Sequence, residues 1–386
     1  MTATNPDLAA ALKAMPLVDH HVHSVLKDPM AEAQLLDALT EADHPIDRQT
    51  TFDTQVGFAI RRYCAPVLGL APFATPDEYL ARREELGFEE VTRLLLSDAG
   101  IGTYLIDGGY NPQALLPVER MMELAGGARA EAIIRLETTA EAVMAASSSG
   151  ADFVARLYPA LEAAAVGAVG WKTVAAYRTG LDLDPAKPTD AELAEAVEAW
   201  FAAGSPGAPA RLVDRAIVRH LIWWALERGD VVQVHAGFGN TNLHLPTANP
   251  AVMQRFVAAT QHTGGRIVFL HCYPFLREAG YLAQVYPHVY LDAGLTINYL
   301  GANADAAVRE TLDLAPFTKV LFSSDAWGAP ELVQLGARLW RDATARVLSD
   351  YMSVHRWPLA EAIRVAELVA WRNAEALYRR AFPSGR

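Results

Sequence analysis

Short runs rich in Val, Ile and Leu recur along the chain, separated by longer segments whose apolar residues repeat at helical spacing. The runs predict strands at 17–23, 101–107, 132–137, 168–175, 231–235, 267–271, 289–291 and 320–323. Helices are predicted between them at 117–125, 140–147, 151–164, 191–202, 212–228, 251–260, 281–286 and 305–315, and after them at 332–354 and 359–381. Residues 203–208 read as a Gly/Pro/Ser-rich linker. Residues 25–100 have little strand character. Their helical composition at 30–39 and 76–98, around a polar, turn-rich 44–56, predicts a helical insertion over one end of the fold. Apolar strands alternating with helices predict a parallel sheet. Eight such units predict a closed α/β barrel, the (β/α)8 TIM barrel, with residues 1–386 forming a single domain. The longest apolar runs have strand length, so no membrane segment is expected.

In such a barrel, chemistry sits at the C-terminal ends of the strands. The first run reads Leu17-Val18-Asp19-His20-His21-Val22-His23-Ser24. Alternation in a strand places His21 and His23 on one face, where both imidazoles could hold one metal ion. Asp19 shares that face and is expected to accept a ring N–H, while His20 should point away. Arg135 and Glu137 end the third run, Lys172 lies in the fourth, His235 ends the fifth and His271 the sixth. Asp292 ends the seventh and Asp325 the eighth. A lone strand-end histidine is usually a hydrogen-bonded core residue. A His-x-His strand, two strand-end histidines and a strand-end aspartate in one barrel point instead to a metal site. Of the remaining histidines (His44, His220, His244, His262, His288 and His355), His244 is the one placed to touch substrate. Arg135, Arg178 and the Arg61-Arg62 pair could clamp a carboxylate, although Arg61-Arg62 reads more simply as a solvated helix face. Tyr177, Trp171, Trp327 and Tyr273 could wall an apolar part of the substrate or only pack the barrel.

Composition narrows the partners. The 386 residues carry a formal charge of −12, which disfavours nucleic acid and leaves a small molecule as the expected partner. Two cysteines and an N-terminus without a basic, apolar leader suit a reducing, cytoplasmic setting.

The ordered set Asp19-His20-His21-Val22-His23, His235, His271 and Ser324-Asp325 resembles the amidohydrolase superfamily of metal-dependent hydrolases. Within it, the chain looks most like the amidohydrolase-2 subgroup. The Lys172–Arg178 stretch and the 238–242 loop are similar to the amidohydrolase half of fungal and plant proteins fused to a glutamine-synthetase-like domain. The sequence itself holds no synthetase-like half. The resemblance implies that His21, His23 and Asp325 hold one metal and that His235 and His271 hold a second. Lys172, carboxylated, would bridge the two. Zinc is the expected ion, two per chain, with other divalent transition metals also compatible. The implied reaction is attack by a metal-bound hydroxide on an amide, ester or lactone carbonyl. His235 or a metal would polarise the carbonyl, and Asp325 would act as general base and then acid. The implied substrates bear a carboxylate, such as γ-glutamyl or N-acyl amino-acid compounds. Three alternatives stand beside this reading. One is a mononuclear zinc decarboxylase or hydratase of the same barrel. Another is a sugar-acid isomerase, opposed by His271 and Lys172. The third is a non-catalytic binding protein on a decayed barrel. A homo-oligomer is a reasonable expectation for an enzyme of this kind.

Overall fold

The computed structural model describes residues 3–27, 30–205, 208 and 210–379. The apolar runs form β1 (Leu17–Val22), β2 (Ile101–Asp107), β3 (Arg129–Arg135), β4 (Ala168–Thr173), β5 (Val231–Ala236), β6 (Arg266–His271) and β7 (Val289–Leu291). They pair in parallel and in sequence order. Such a sheet is covered on both faces, and β1, β4 and β5 are buried along their whole length.

The eighth run departs from prediction. Residues 320–326 form no regular strand, yet they lie between β7 and β1. Leu321 N donates to Leu291 O (3.0 Å), and His20 N donates to Phe322 O (3.2 Å). Asp325 N then donates to His21 O (3.1 Å), and His23 N to Ala326 O (2.9 Å). Two causes break the ladder. The Asp19 carboxylate takes Ser324 N (3.0 Å), and Asp325 turns to a φ of 49°, outside the strand region. The segment still closes the ring of an α/β TIM-barrel-like fold.

Some boundaries shifted. β3 ends at Arg135 and a helix, Leu136–Ala145, starts at once, so the predicted 132–137 strand ran too far. The polar 44–56 stretch holds two short helices, Arg48–Phe52 and Gln55–Ala59. Asp47 caps the first by accepting from Thr50 N, and Thr54 caps the second by accepting from Gly57 N. Pro206 and Gly207 of the expected linker, and Arg380 and Ala381 of the last predicted helix, lie outside the described residues. Among the described residues no helix is long and apolar enough to cross a membrane.

One apolar cluster gathers Val18, Leu105, Ile133, Val169, Val231 and Val268, a residue from each of six successive strands. It therefore fills the space that the sheet encloses. Ala374 and Tyr378, from the C-terminal segment, complete it. The helices of the 25–100 region are tied to this body through a buried ion pair. Arg83, in the helix Pro76–Leu86, donates to Glu331 Oε1 (2.6 Å) at the start of the helix Pro330–His355, and Tyr79 Oη donates to the same oxygen (2.8 Å). Glu331→Ala would leave the Arg83 charge buried without its partner, at a cost of about 3–5 kcal/mol. Urea unfolding should show that loss; a change below about 1 kcal/mol would mean that water reaches Arg83 and that the pair does not anchor the insertion.

Candidate metal centre

β1 and the closing segment bring His21, His23 and Asp325 together, and their hydrogen bonds settle where the ring protons are. The Gln233 amide nitrogen donates to the His20 carbonyl (2.7 Å), so its oxygen must be the atom facing His21 Nδ1 (2.7 Å). His21 therefore carries its proton on Nδ1 and presents a bare Nε2. His23 Nδ1 faces the Asp107 carbonyl oxygen (2.7 Å), which can only accept. Its Nε2 is bare as well. Both bare nitrogens aim at Asp325 Oδ1, at 3.0 Å and 3.7 Å. Lone pairs converging on a carboxylate repel unless a cation lies among them.

A second imidazole pair lies on the other side of the same carboxylate. His271 Nε2 is 3.7 Å from Asp325 Oδ2 and 3.0 Å from His235 Nδ1. His271 Nδ1 and His235 Nε2 are buried without a hydrogen-bond partner. Lys172 Nζ, from β4, lies 3.4 Å from His21 Nε2. His271 and Asp325 both have left-handed backbone, with φ of 47° and 49°, a strain that clusters at functional sites.

Burial, reinforced by the nearby Lys172, pushes His21 down to about 4. Burial also pushes His271 down to about 4 and holds His235 and His23 below the ordinary histidine value. At neutral pH all four are uncharged, as metal ligation requires. Burial alone would raise the Asp325 carboxyl, but His21, His271 and Lys172 hold it well below the usual range. Burial brings the Lys172 amine down to about 8. Neutral imidazoles around one carboxylate are a donor set that fits a transition-metal dication.

The centre forms the floor of a cavity of about 960 Å³. Arg135, Arg178, Tyr177 and Trp327 line it, as do Lys172, His235 and Asp325. The two arginines are already engaged. Arg135 pairs with Asp107 (2.5 Å) and Arg178 with Glu141 (2.8 Å). Several expectations fail here. His244 is exposed, turned toward Thr247, and outside the cavity lining. Trp171 is buried against Trp224, with Nε1 donating to Asp230 (3.0 Å), and Tyr273 is not in the lining. Arg61 donates to the carbonyls of Ala74 and Phe73 and does not reach the site. Asp19 accepts from Ser324 N and Oγ, not from a histidine ring. His20 avoids the metal pair but is not turned outward. A register irregularity between Asp19 and Val22 lets its ring lie inside, bonded to Asp292 and Tyr378.

Sequence reasoning missed Gln233, Asp107, His44, Tyr110, Glu41 and Arg211. Asp107 was within reach, because it ends β2 as His271 ends β6. Gln233 lies inside a strand, and only its contact with His21 shows its use. The rest sit on loops around the cavity, where no periodicity marks them. Burial, with Asp325 and Asp43 nearby, pushes the Glu41 carboxyl up to about 7.

The sequence model of the family described as Amidohydrolase matches residues 18–380. The chain belongs to the amidohydrolase family. Members of this family depend on a metal. His21, His23 and Asp107, whose ligand atoms lie within 4.8 Å of one another, form a His/Asp group able to hold one. Protein fluG of Emericella nidulans is 33% identical over 222 residues, covering 54% of this chain. The match spans only 25% of the length of that relative. A solved structure assigned as a metal-dependent hydrolase, from Lactobacillus casei, superposes with a TM-score of 0.85 at 28% identity over 98% of this chain and 99% of that one. A uronate isomerase from Bacillus halodurans shares the fold, with a TM-score of 0.61 at 12% identity over 96% and 95% of the two chains.

If this amidohydrolase holds a metal through these side chains, a strong chelator should lower its melting temperature and zinc should restore it. With free metal at a hundred times its dissociation constant, the stabilisation is about 2.7 kcal/mol. A His21→Ala/His23→Ala variant should respond much less in the same calorimetric scan. An unchanged midpoint for the wild type under chelation would contradict the assignment.

Proposed function

We propose that the chain is a metal-dependent amidohydrolase that cleaves an amide, ester or lactone bond in a small, carboxylate-bearing molecule such as a γ-glutamyl or N-acyl amino-acid compound. The observation that carries this reading is the Asp325 carboxylate lying between two pairs of neutral imidazoles at the floor of a cavity of about 960 Å³. His21, His23 and Asp325 would hold one divalent ion, and His235 and His271 a second, with zinc the expected metal. When bound, such ions acidify a water molecule and polarise a carbonyl oxygen.

The chain's own groups supply the rest. Lys172 suits a bridging role because burial holds its amine at about 8, leaving some of it neutral near pH 7. The neutral amine adds carbon dioxide and loses a proton, giving an anionic carbamate that would offset the repulsion between two cations. His235 directs Nδ1 toward His271, and with Nδ1 committed to the second ion its neutral ring would carry the proton on Nε2. That N–H has no protein partner and lies at the cavity wall, where it can donate to the substrate carbonyl oxygen. Asp325 is ionised and central, able to take a proton from the attacking water and pass it to the leaving nitrogen or oxygen.

Arg211 is the cation best placed to take the substrate carboxylate. It lines the cavity, and among the described residues no carboxylate lies within ion-pair distance of it; its hydrogen bond to Tyr177 O is long, at 3.4 Å. Arg135 and Arg178, already paired, would shape the wall instead. Two buried free cysteines, Cys64 and Cys272, support a reducing cytoplasmic setting.

Metal-loaded protein should be assayed on a panel of amides, esters and lactones with and without a carboxylate. Asp325→Asn should lower kcat by about 10²–10⁴-fold with the circular dichroism unchanged. Arg211→Ala should raise KM for the carboxylate-bearing members only. Near-normal turnover by Asp325→Asn would remove it from the chemistry, and an equal KM rise for neutral substrates would remove Arg211 from recognition.

A further inference from the structure

Tyr378 reaches the underside of the metal centre from the far end of the chain. It follows the last short helix, Asn373–Leu377, and is only 1% exposed. Its ring packs with the apolar side chains inside the barrel. Its hydroxyl meets two polar groups there. Gln233 Nε2 donates to Tyr378 Oη (2.9 Å), and His20 Nδ1 lies 3.2 Å from the same oxygen. The proton directions follow from the partners. His20 Nε2 faces the Asp292 carboxylate (2.6 Å), an acceptor, so the tautomer that satisfies this contact carries its proton on Nε2 and leaves Nδ1 as an acceptor. Tyr378 Oη therefore accepts from Gln233 and donates to His20.

Both partners lead to metal-centre residues. Gln233 holds the protonated Nδ1 of His21 and so keeps Nε2 bare. Asp292, bonded to His20, accepts the backbone N–H of His271 through its other oxygen (2.7 Å). One hydroxyl thus touches two chains of hydrogen bonds that end at opposite sides of the Asp325 carboxylate. β4 makes room for the ring. A Cβ at Gly170 would stand 3.3 Å from Tyr378 Cε1 and 3.2 Å from both Ile133 Cδ1 and Val231 O. Apolar filling alone would not call for the hydroxyl, since phenylalanine has the same ring.

We propose that Tyr378 is a positioning residue for the metal centre: its hydroxyl fixes the Gln233 amide and the His20 ring, and through them the orientation of His21 and the backbone of His271. The proposal rests on the reading of His21 as a metal ligand. Without the hydroxyl, one Gln233 N–H and the His20 Nδ1 lose the short contact they share, and the one left between them is long, at 3.4 Å. The Gln233 amide nitrogen then keeps only one short bond, to the His20 carbonyl (2.7 Å), so the plane of the amide, and with it the direction of the bond to His21 Nδ1, is less tightly fixed.

The test is cobalt(II) titration of metal-free full-length protein, followed by the visible absorption of the bound ion, for wild type, Tyr378→Phe, Gln233→Leu and the double variant. Tyr378→Phe should keep the wild-type circular dichroism in the metal-free form, because the ring still fills the barrel, with a melting temperature lowered by the loss of the buried hydrogen bonds. It should weaken one cobalt-binding phase by about 10–100-fold and shift the absorption bands of the bound ion. Gln233→Leu should do the same, and the double variant should lose little more than the worse single one, as expected for residues acting in series. Affinity and spectrum within two-fold of wild type for Tyr378→Phe, or losses that multiply in the double variant, would overturn the proposal. A wild-type protein that binds no cobalt would overturn the reading of His21 as a ligand, and this proposal with it.

Discussion

Closure of the ring between the first strand and residues 320–326 is the constraint on which the site depends. His21 and His23 are about three hundred residues from Asp325 in the chain, and they meet because the backbones of the two segments exchange hydrogen bonds, Asp325 N to His21 O (3.1 Å) and His23 N to Ala326 O (2.9 Å). The Asp19 carboxylate secures the same junction through Ser324. That carboxyl, pushed up to about 8 chiefly by burial, trades regular strand geometry for a fixed placement of Asp325. The missing eighth strand and the convergent site thus share the Asp19–Ser324 contact as a common cause.

Neutral imidazoles with fixed tautomers are the second element of the account. The rings of His21 and His23 are held from behind by groups that can only accept, a glutamine oxygen for His21 and a backbone carbonyl for His23. Such backing sets ring orientation and raises ligand basicity. The barrel interior contributes more than bulk here, because its apolar filling excludes water while its few polar members carry hydrogen bonds upward to the site.

The strand-end residues were legible in the sequence because a barrel delivers its chemistry at fixed places. His235, His271 and Asp325 each follow an apolar run, and β2 was read with its observed bounds. Three kinds of feature were not legible. Strict alternation misplaced His20 and Asp19, since a register irregularity in β1 cannot be read from periodicity. Loop residues around the cavity, such as Arg211 and His44, have no pattern to mark them. The pairing of Arg135 with Asp107 and of Arg178 with Glu141 joins residues on different elements, so both looked available for substrate until the fold brought their partners in.

The proposed function places two dications around Asp325. It is tested most directly by anomalous diffraction from crystals of the zinc-loaded protein, measured on both sides of the zinc absorption edge. The account predicts two anomalous peaks, one among His21, His23 and Asp325 and one between His235 and His271, with extra density on the Lys172 amine joining them. Peaks confined to surface histidines, with none beside Asp325, would contradict it.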